Sequence, residues 1–114
     1  MKHGDKLYIV TRRDLAPGYQ AVQSIHAAQQ FAFDYPTING RWKEHSNYLG
    51  LLSVKDELAL KRLAMSATKR GLAVSLFCEP DLGWSVTAIA IEAGSISRKL
   101  CNRLPLALSE YTPL

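Results

Sequence analysis

Lys6-Leu7-Tyr8-Ile9-Val10-Thr11-Arg12 is a short run of apolar, β-branched and aromatic residues, and it reads as a strand. Asp14-Leu15-Ala16-Pro17-Gly18 follows it as a turn, because Pro17 presets φ and Gly18 permits a sharp bend. From Gly18 to Asp34 there is no proline and no interior glycine, and Ala and Gln dominate. Ala21, Ile25, Ala28 and Ala32 recur at i, i+4, i+7 and i+11, with Val22 and Phe33 beside them. That spacing predicts an amphipathic helix with these side chains in its buried stripe. A strand, a tight turn and a helix are the opening of an α/β unit.

The remaining elements extend the pattern in both kind and order. Tyr35-Pro36 ends the first helix, since a residue before proline is pushed out of the helical region. Thr37 to Ser46 reads as a loop or one short helix anchored by Trp42. Tyr48 to Val54 (YLGLLSV) is a nearly continuous apolar run, which predicts a strand buried on both faces. Asp56 to Arg70 reads as a helix with acid at its start, Lys69 and Arg70 in its last turn and Gly71 as its C-cap. Leu60, Leu63, Ala64 and Ala67 form its buried stripe. Leu72 to Phe77 and Ser85 to Glu92 read as two further strands, close enough in sequence for an antiparallel hairpin. Ser95 to Arg103 reads as a last short helix and Pro105 onward as a tail. The order β-α-(α)-β-α-β-β-α predicts a single α/β domain, residues 1–114, with a four-stranded mixed sheet flanked by helices.

Composition narrows the function. The chain has 114 residues, 47% hydrophobic and 21% charged, which are ordinary globular values. No apolar run approaches the ~20 residues that cross a bilayer. No apolar h-region follows Met1–Asp5, so a cytoplasmic protein without a secretory leader is expected. Cys78 and Cys101 sit in no CxxC or Cys/His cluster, which argues against structural zinc. Fourteen Lys/Arg against ten Asp/Glu give a formal net charge of +4, a modest excess that favours a polyanionic partner. GxGxxG, P-loop, GxSxG and HExxH motifs are absent from the sequence.

Two segments lie at carboxyl ends of predicted strands, where open α/β sheets usually bind ligands. One is Arg12-Arg13-Asp14-Leu15 with the opening of the first helix; the other is Cys78-Glu79-Pro80-Asp81-Leu82. They converge if the first and third strands are parallel neighbours. On the first helix Tyr19, Gln23, His26 and Gln30 fall at i, i+4, i+7 and i+11, a row of hydrogen-bonding groups without Lys or Glu. The row is either a solvated face or a binding surface, and His26 alternatively a core histidine. Glu79 and Asp81 bracket Pro80, as a pair of carboxylates or as a plain surface turn. Arg12 and Arg13 hold phosphate or form a local ion pair with Asp14. Trp84 stacks on a base or caps the core, and Cys78 reads as structural rather than nucleophilic.

The run Lys6 to Leu15, then Gly18, Ala21, Gln23 and His26-Ala27, resembles the opening strand and helix of the type-2 peptidyl-tRNA hydrolases. Gly71 to Phe77 and Thr87 to Ile91 resemble that family's third and fourth strands, and the element order matches over nearly the whole chain. The resemblance implies a four-stranded mixed sheet, a homodimer, and hydrolysis of the ester joining a peptide to the 3′ ribose of tRNA, without metal or organic cofactor. The hydrolase reading gives catalytic roles to His26, Glu79, Asp81, Gln23 and Tyr19, and substrate contacts to Arg12, Arg13, Gly18, Gln30, Trp84 and Thr87; of these, the resemblance itself matches Gln23, His26, Glu79 and Thr87 to family positions. The chain departs from the family at Ala16-Pro17-Gly18-Tyr19, where typical members carry a Gly-Lys-Gly-Lys stretch and a lysine falls at Tyr19. Glu79 stands where the family has Asp, and Leu82-Gly83-Trp84-Ser85 is a shortened loop. Two rival expectations accompany the hydrolase: a catalytically inactive RNA- or protein-binding module on the same fold, and a small-molecule hydrolase or transferase using the Glu79/Asp81 turn.

Overall fold

In a computed structural model, which describes residues 1–109, the chain runs β1 (Lys6–Arg12), α1 (Pro17–Asp34), α2 (Pro36–His45), β2 (Tyr48–Val54), α3 (Glu57–Lys69), β3 (Val74–Glu79), β4 (Ser85–Ile91) and α4 (Ser95–Cys101). A 3-10 turn, Pro80–Leu82, joins β3 to β4. Local chemistry sets the boundaries. Pro17 and Pro36 open α1 and α2, where a missing N–H costs nothing. The Asp56 side chain accepts from the Ala59 N–H at 3.0 Å and caps α3. Gly71, at φ +81°, takes the left-handed turn that leads out of it. The polar segment around Trp42 is helical, and the indole does anchor it: Trp42 is buried and donates from Nε1 to the Tyr48 carbonyl at 2.8 Å.

The sheet has the order β2-β1-β4-β3. β1 and β2 are parallel, and β4 runs antiparallel to both β1 and β3. The mixed sheet and its terminal hairpin are as the sequence predicts. β1 and β3 are not neighbours, however: β4 lies between them. Both are antiparallel to β4, so their carboxyl ends still reach the same end of the sheet.

Alternation along the strands divides the core into two layers. Leu7, Ile9, Ala88 and Ala90 face α1 and α2, against Ala27, Phe31 and Trp42. Tyr8, Val10, Leu52, Val54, Ile89 and Ile91 face α3 and α4, against Leu60, Ala64, Ala67 and Cys101. Gly50 lies opposite Tyr8 in the β1–β2 register, and a Cβ there would stand 2.9 Å from the tyrosine ring. The missing side chain is what lets that ring lie across the strand.

Three expectations are corrected here. The buried face of α1 is Gln20, Gln23, Ser24, Ala27 and Phe31, whereas Ile25 is 61% and Phe33 82% exposed. The surface beneath the first half of α1 is polar, with Thr11 and Thr87 fully buried in it, so glutamine and serine satisfy it better than isoleucine. β2 is buried or half-buried on both faces only from Gly50 to Val54; Tyr48 and Leu49 at its start are exposed, and the strand lies at the edge of the sheet. The segment after Pro105 is not a plain tail either: Ser53 N–H donates to Pro105 O and Ala107 N–H to Leu51 O, each at 2.9 Å. Residues 105–107 thereby cover the outer edge of β2. The end of the expected tail, residues 110–114, lies outside the described residues.

Candidate active site

At the end of the sheet where β1 and β3 finish, a β-bulge re-aims one side chain. Phe77 pairs with Ala88 and Cys78 with Val86, so Thr87 is an extra residue on β4. A bulged residue breaks strict alternation, and Thr87 therefore shares the α1 side of the sheet with Ala88. Its hydroxyl donates to Gln23 Oε1 at 2.6 Å. Its carbonyl, just beyond the last β1–β4 pair, accepts from the Thr11 hydroxyl at 2.9 Å.

Gln23 is 1% exposed and spans the gap between strands, donating from Nε2 to Glu79 Oε1 at 3.1 Å. An ionised carboxylate only accepts, so it dictates which end of the amide faces it. The oxygen must then face Thr87, and the threonine must donate. Thr11, Thr87, Gln23 and Glu79 thus form a chain of fixed polarity that holds one carboxylate oxygen at the rim of the sheet. Among the described residues, Glu79 Oε2 has no hydrogen-bond partner.

His26, one turn further along α1, lies flat on Phe77 with ring centroids 4.4 Å apart and planes within 6°. It is exposed, not a core histidine. Tyr19 and Gly18 are exposed in the first turn of α1, one turn ahead of Gln23. Pro17 lacks an N–H and Gln20 N–H already bonds Ala16 O at 2.9 Å, so Gly18 and Tyr19 carry the free amides of that turn. The corner therefore combines a held carboxylate and an exposed imidazole, with the Gly18 and Tyr19 amides one turn ahead of Gln23 along α1.

The other candidates divide. Gln30 faces away from this corner, donating to Asp34 Oδ1 at 2.8 Å, while Asp34 Oδ2 accepts from the Ser75 hydroxyl. Asp81 is exposed in the 3-10 turn and joins no hydrogen bond to Gln23 or Glu79. Trp84 is 69% exposed at φ +63°, directly after Gly83 at φ +64°, so it does not cap the core. Arg12 makes the local ion pair: both Asp14 oxygens sit at 2.9 Å, and a third donor bonds the Val86 carbonyl at 3.1 Å. The Asp14 hydrogen bonds hold the Arg12 guanidinium even more firmly protonated, and Arg12 holds the Asp14 carboxyl below the ordinary carboxylate value. Arg13 is exposed and donates to the Ser53 carbonyl and hydroxyl at 3.3 Å.

Cys78 packs partly buried on the α3 side, opposite the corner, and burial raises the Cys101 thiol to about 11. Cys101 therefore stays a thiol at neutral pH. Among the described residues, His, Cys, Asp and Glu side chains nowhere gather in threes as a metal-ligand set.

Thr11 and Phe77 were absent from the residues expected at the site. Thr11 had a signal: it is the one polar residue among the inward positions of β1 that it shares with Leu7 and Ile9. Phe77 had none, because an aromatic in an apolar strand reads as core. No protein-family model matches this chain, and comparison with curated proteins finds no relative. Among the described residues, no helix is long and apolar enough to cross a membrane.

Proposed function

We propose that this chain hydrolyses the ester bond of peptidyl-tRNA at the Gln23–Glu79 corner, releasing tRNA and peptide. The observation that carries the reading is the Gln23 bridge between Thr87 and Glu79. It commits one carboxylate oxygen to the protein and leaves the other for a water. Glu79 takes the proton as that water attacks the acyl carbonyl. The Gly18 and Tyr19 amides at the head of α1 stabilise the oxyanion of the tetrahedral intermediate. The C–O bond to the ribose then breaks, and the 3′ oxygen leaves with a proton returned by Glu79 or by the His26 edge. An alkoxide leaves more readily than an amide nitrogen, so one base and one set of donors suffice. No cofactor takes part in this scheme. Arg13 and the exposed lysines supply phosphate contacts, and Trp84 offers a stacking surface for an unpaired base at the tRNA 3′ end. A chain acting on tRNA in this way works in the cytoplasm.

One observation favours the rival reading of an inactive RNA- or protein-binding module. α1 carries no Lys or Arg, and Tyr19 stands where the family resemblance leads one to expect lysine. The deciding experiment is cleavage of a peptidyl-tRNA by the purified chain and by Glu79→Gln. The glutamine keeps an oxygen for Gln23 and removes the base. Turnover should fall by about 10²–10⁴-fold with an unchanged melting temperature. Equal turnover by the two proteins removes Glu79 from the chemistry, and no turnover by either leaves the binding module.

A further inference from the structure

The end of the sheet away from the Glu79 corner holds a cleft of about 750 Å³. β1 and β3 begin there and β4 finishes there, so the length of one strand, about 23 Å, separates it from the corner. The cleft crosses from one layer of the molecule to the other. α2 bounds it on the Trp42 side of the sheet, through Arg41 and His45. α4 bounds it on the Cys101 side, through Ile96. Between these walls lie Leu72, just before β3, and Glu92 and Ala93, just after β4, and Lys2 joins from the segment that precedes β1.

Asp5 fastens the walls to one another. Its side chain is 5% exposed. One carboxylate oxygen accepts from the Lys2 backbone N–H at 2.8 Å, and the other lies 3.6 Å from the Arg98 guanidinium on α4. Its carbonyl accepts from the Ser46 hydroxyl at the end of α2. A buried carboxylate is kept only where such partners surround it. One residue therefore ties the N-terminal turn, α2 and α4 together, and the cleft between them is preformed. Glu92 does the same for the chain entering β3: Oε1 accepts from the Ala73 N–H at 2.6 Å, while Glu92 N–H donates to Ala73 O at 3.0 Å.

The groups that remain open differ in kind along the cleft. The Lys2 ammonium, the Arg41 guanidinium and the His45 imidazole belong to none of the ion pairs among the described residues. Arg41 and His45 stand four residues apart on α2 and so share one face, and a guanidinium matches two phosphate oxygens at once. In the middle, Glu92 Oε2 has no hydrogen-bond partner among the described residues. Leu72 and Ile96 supply hydrocarbon on the far side, and Ile96 is 43% exposed although apolar.

We propose that this cleft binds a free nucleoside 5′-monophosphate. The phosphate lies against Arg41, His45 and Lys2, the ribose hydroxyls donate to Glu92 Oε2, and the base lies on Leu72 and Ile96. The three parts of the ligand follow the order of the walls, from α2 across the end of the sheet to α4. Simpler anions match less of the cleft. Inorganic phosphate reaches the cations but leaves the hydrocarbon wet. A fatty acid covers cations and hydrocarbon but buries the Glu92 carboxylate without a donor, which is costly. An anionic head, a diol and a flat apolar body together satisfy all three regions. The volume is within the roughly 300–1,000 Å³ of small-molecule sites. None of these groups belongs to the Gln23–Glu79 corner, so the site stands or falls apart from the hydrolase reading.

NMR titration of the full chain with adenosine 5′-monophosphate tests it. Amide shifts around Arg41, Glu92 and Ile96 should saturate with a dissociation constant of about 1 mM or lower. Adenosine and inorganic phosphate, each lacking part of the contacts, should bind at least about tenfold more weakly. Arg41→Ala should weaken nucleotide binding by about 10–100-fold, the worth of hydrogen bonds to a charged group. Ile96→Asp should weaken it too, by removing hydrocarbon from under the base. Both side chains are exposed, so neither variant should lower the melting temperature. Glu92→Gln keeps an oxygen for the Ala73 N–H and removes the charge. The 2′,3′-dideoxy nucleotide should bind the wild type about tenfold more weakly than the ribonucleotide, and bind Glu92→Gln nearly as well. Absence of binding up to about 10 mM, or binding that neither Arg41→Ala nor Ile96→Asp alters, overturns the site. Phosphate binding as tightly as the nucleotide overturns the ligand class. A 5′-phosphorylated dinucleotide that binds where the mononucleotide does not overturns it as well, and gives the cleft to an RNA end. Peptidyl-tRNA cleavage, scored separately, bears only on the hydrolase reading.

Discussion

Gln23 is buried because both ends of its amide have partners, Thr87 on one side and Glu79 on the other. Taking away one partner leaves a buried polar atom unpaired, which costs more than the bond itself contributes. Thr87→Val, which preserves volume, should therefore lower stability by about 1–3 kcal/mol and lower peptidyl-tRNA turnover as well, since Glu79 loses its fixed neighbour; chemical denaturation and a cleavage assay on one preparation check both. The Arg12–Asp14 pair makes a pH prediction. Its carboxyl titrates below the ordinary value when folded, so its stabilisation is fully present above about 3.8, the ordinary carboxylate value, and is lost as pH falls through the folded value. The stability gap between the wild type and Asp14→Asn should be full at pH 6 and shrink as pH falls below about 3.8; a gap that does not change with pH shows that the pair contributes through shape, not charge.

Among the elements, α1 teaches the most. Periodicity finds a helix from almost any regular spacing of small and apolar residues, and it found this one within a residue of its ends. It chose the wrong stripe because it assumes that the buried face is the apolar one. The bulge at Thr87 and the inward Thr11 make the opposing surface polar, and neither can be read from α1 itself. α3, whose surroundings are ordinary, buries Leu60, Ala64 and Ala67 as its spacing predicts. The β3–β4 turn carries a testable strain. A non-glycine residue in the left-handed region costs about 1–2 kcal/mol, and Trp84 accepts that while largely exposed. Trp84→Gly should leave the melting temperature unchanged or raised while reducing affinity for a tRNA 3′ end by about 5–100-fold, the worth of one stacked base. A loss of stability would mean that the indole packs more than its exposure shows.

For the molecule as a whole, net charge decides how a polyanion is met. If tRNA is the substrate, binding should weaken steeply as salt rises, with a log–log slope set by the number of phosphates neutralised. Binding measured between 50 and 200 mM salt, concentrations across which about 6–10 phosphate contacts cost 10³–10⁵ in affinity, separates this from a small-molecule substrate, for which the slope is near zero.

Element types, their order, the mixed sheet, the acidic start of α3 and its end at Gly71 were all legible in the linear chain, because each is set by chemistry within a few residues; that Asp56 is the N-cap itself was not. So was the row from Tyr19 to Gln30, with Glu79 as a candidate beyond it. Strand order was not legible, since β4 reaches its place between β1 and β3 through pairings more than seventy residues apart. Nor was the division of the row, in which Gln23 turns inward to a bulge, His26 lies against Phe77 and Gln30 binds Asp34. Burial of a polar side chain depends on the partners it finds, and those partners come from strands that only folding brings beside the helix.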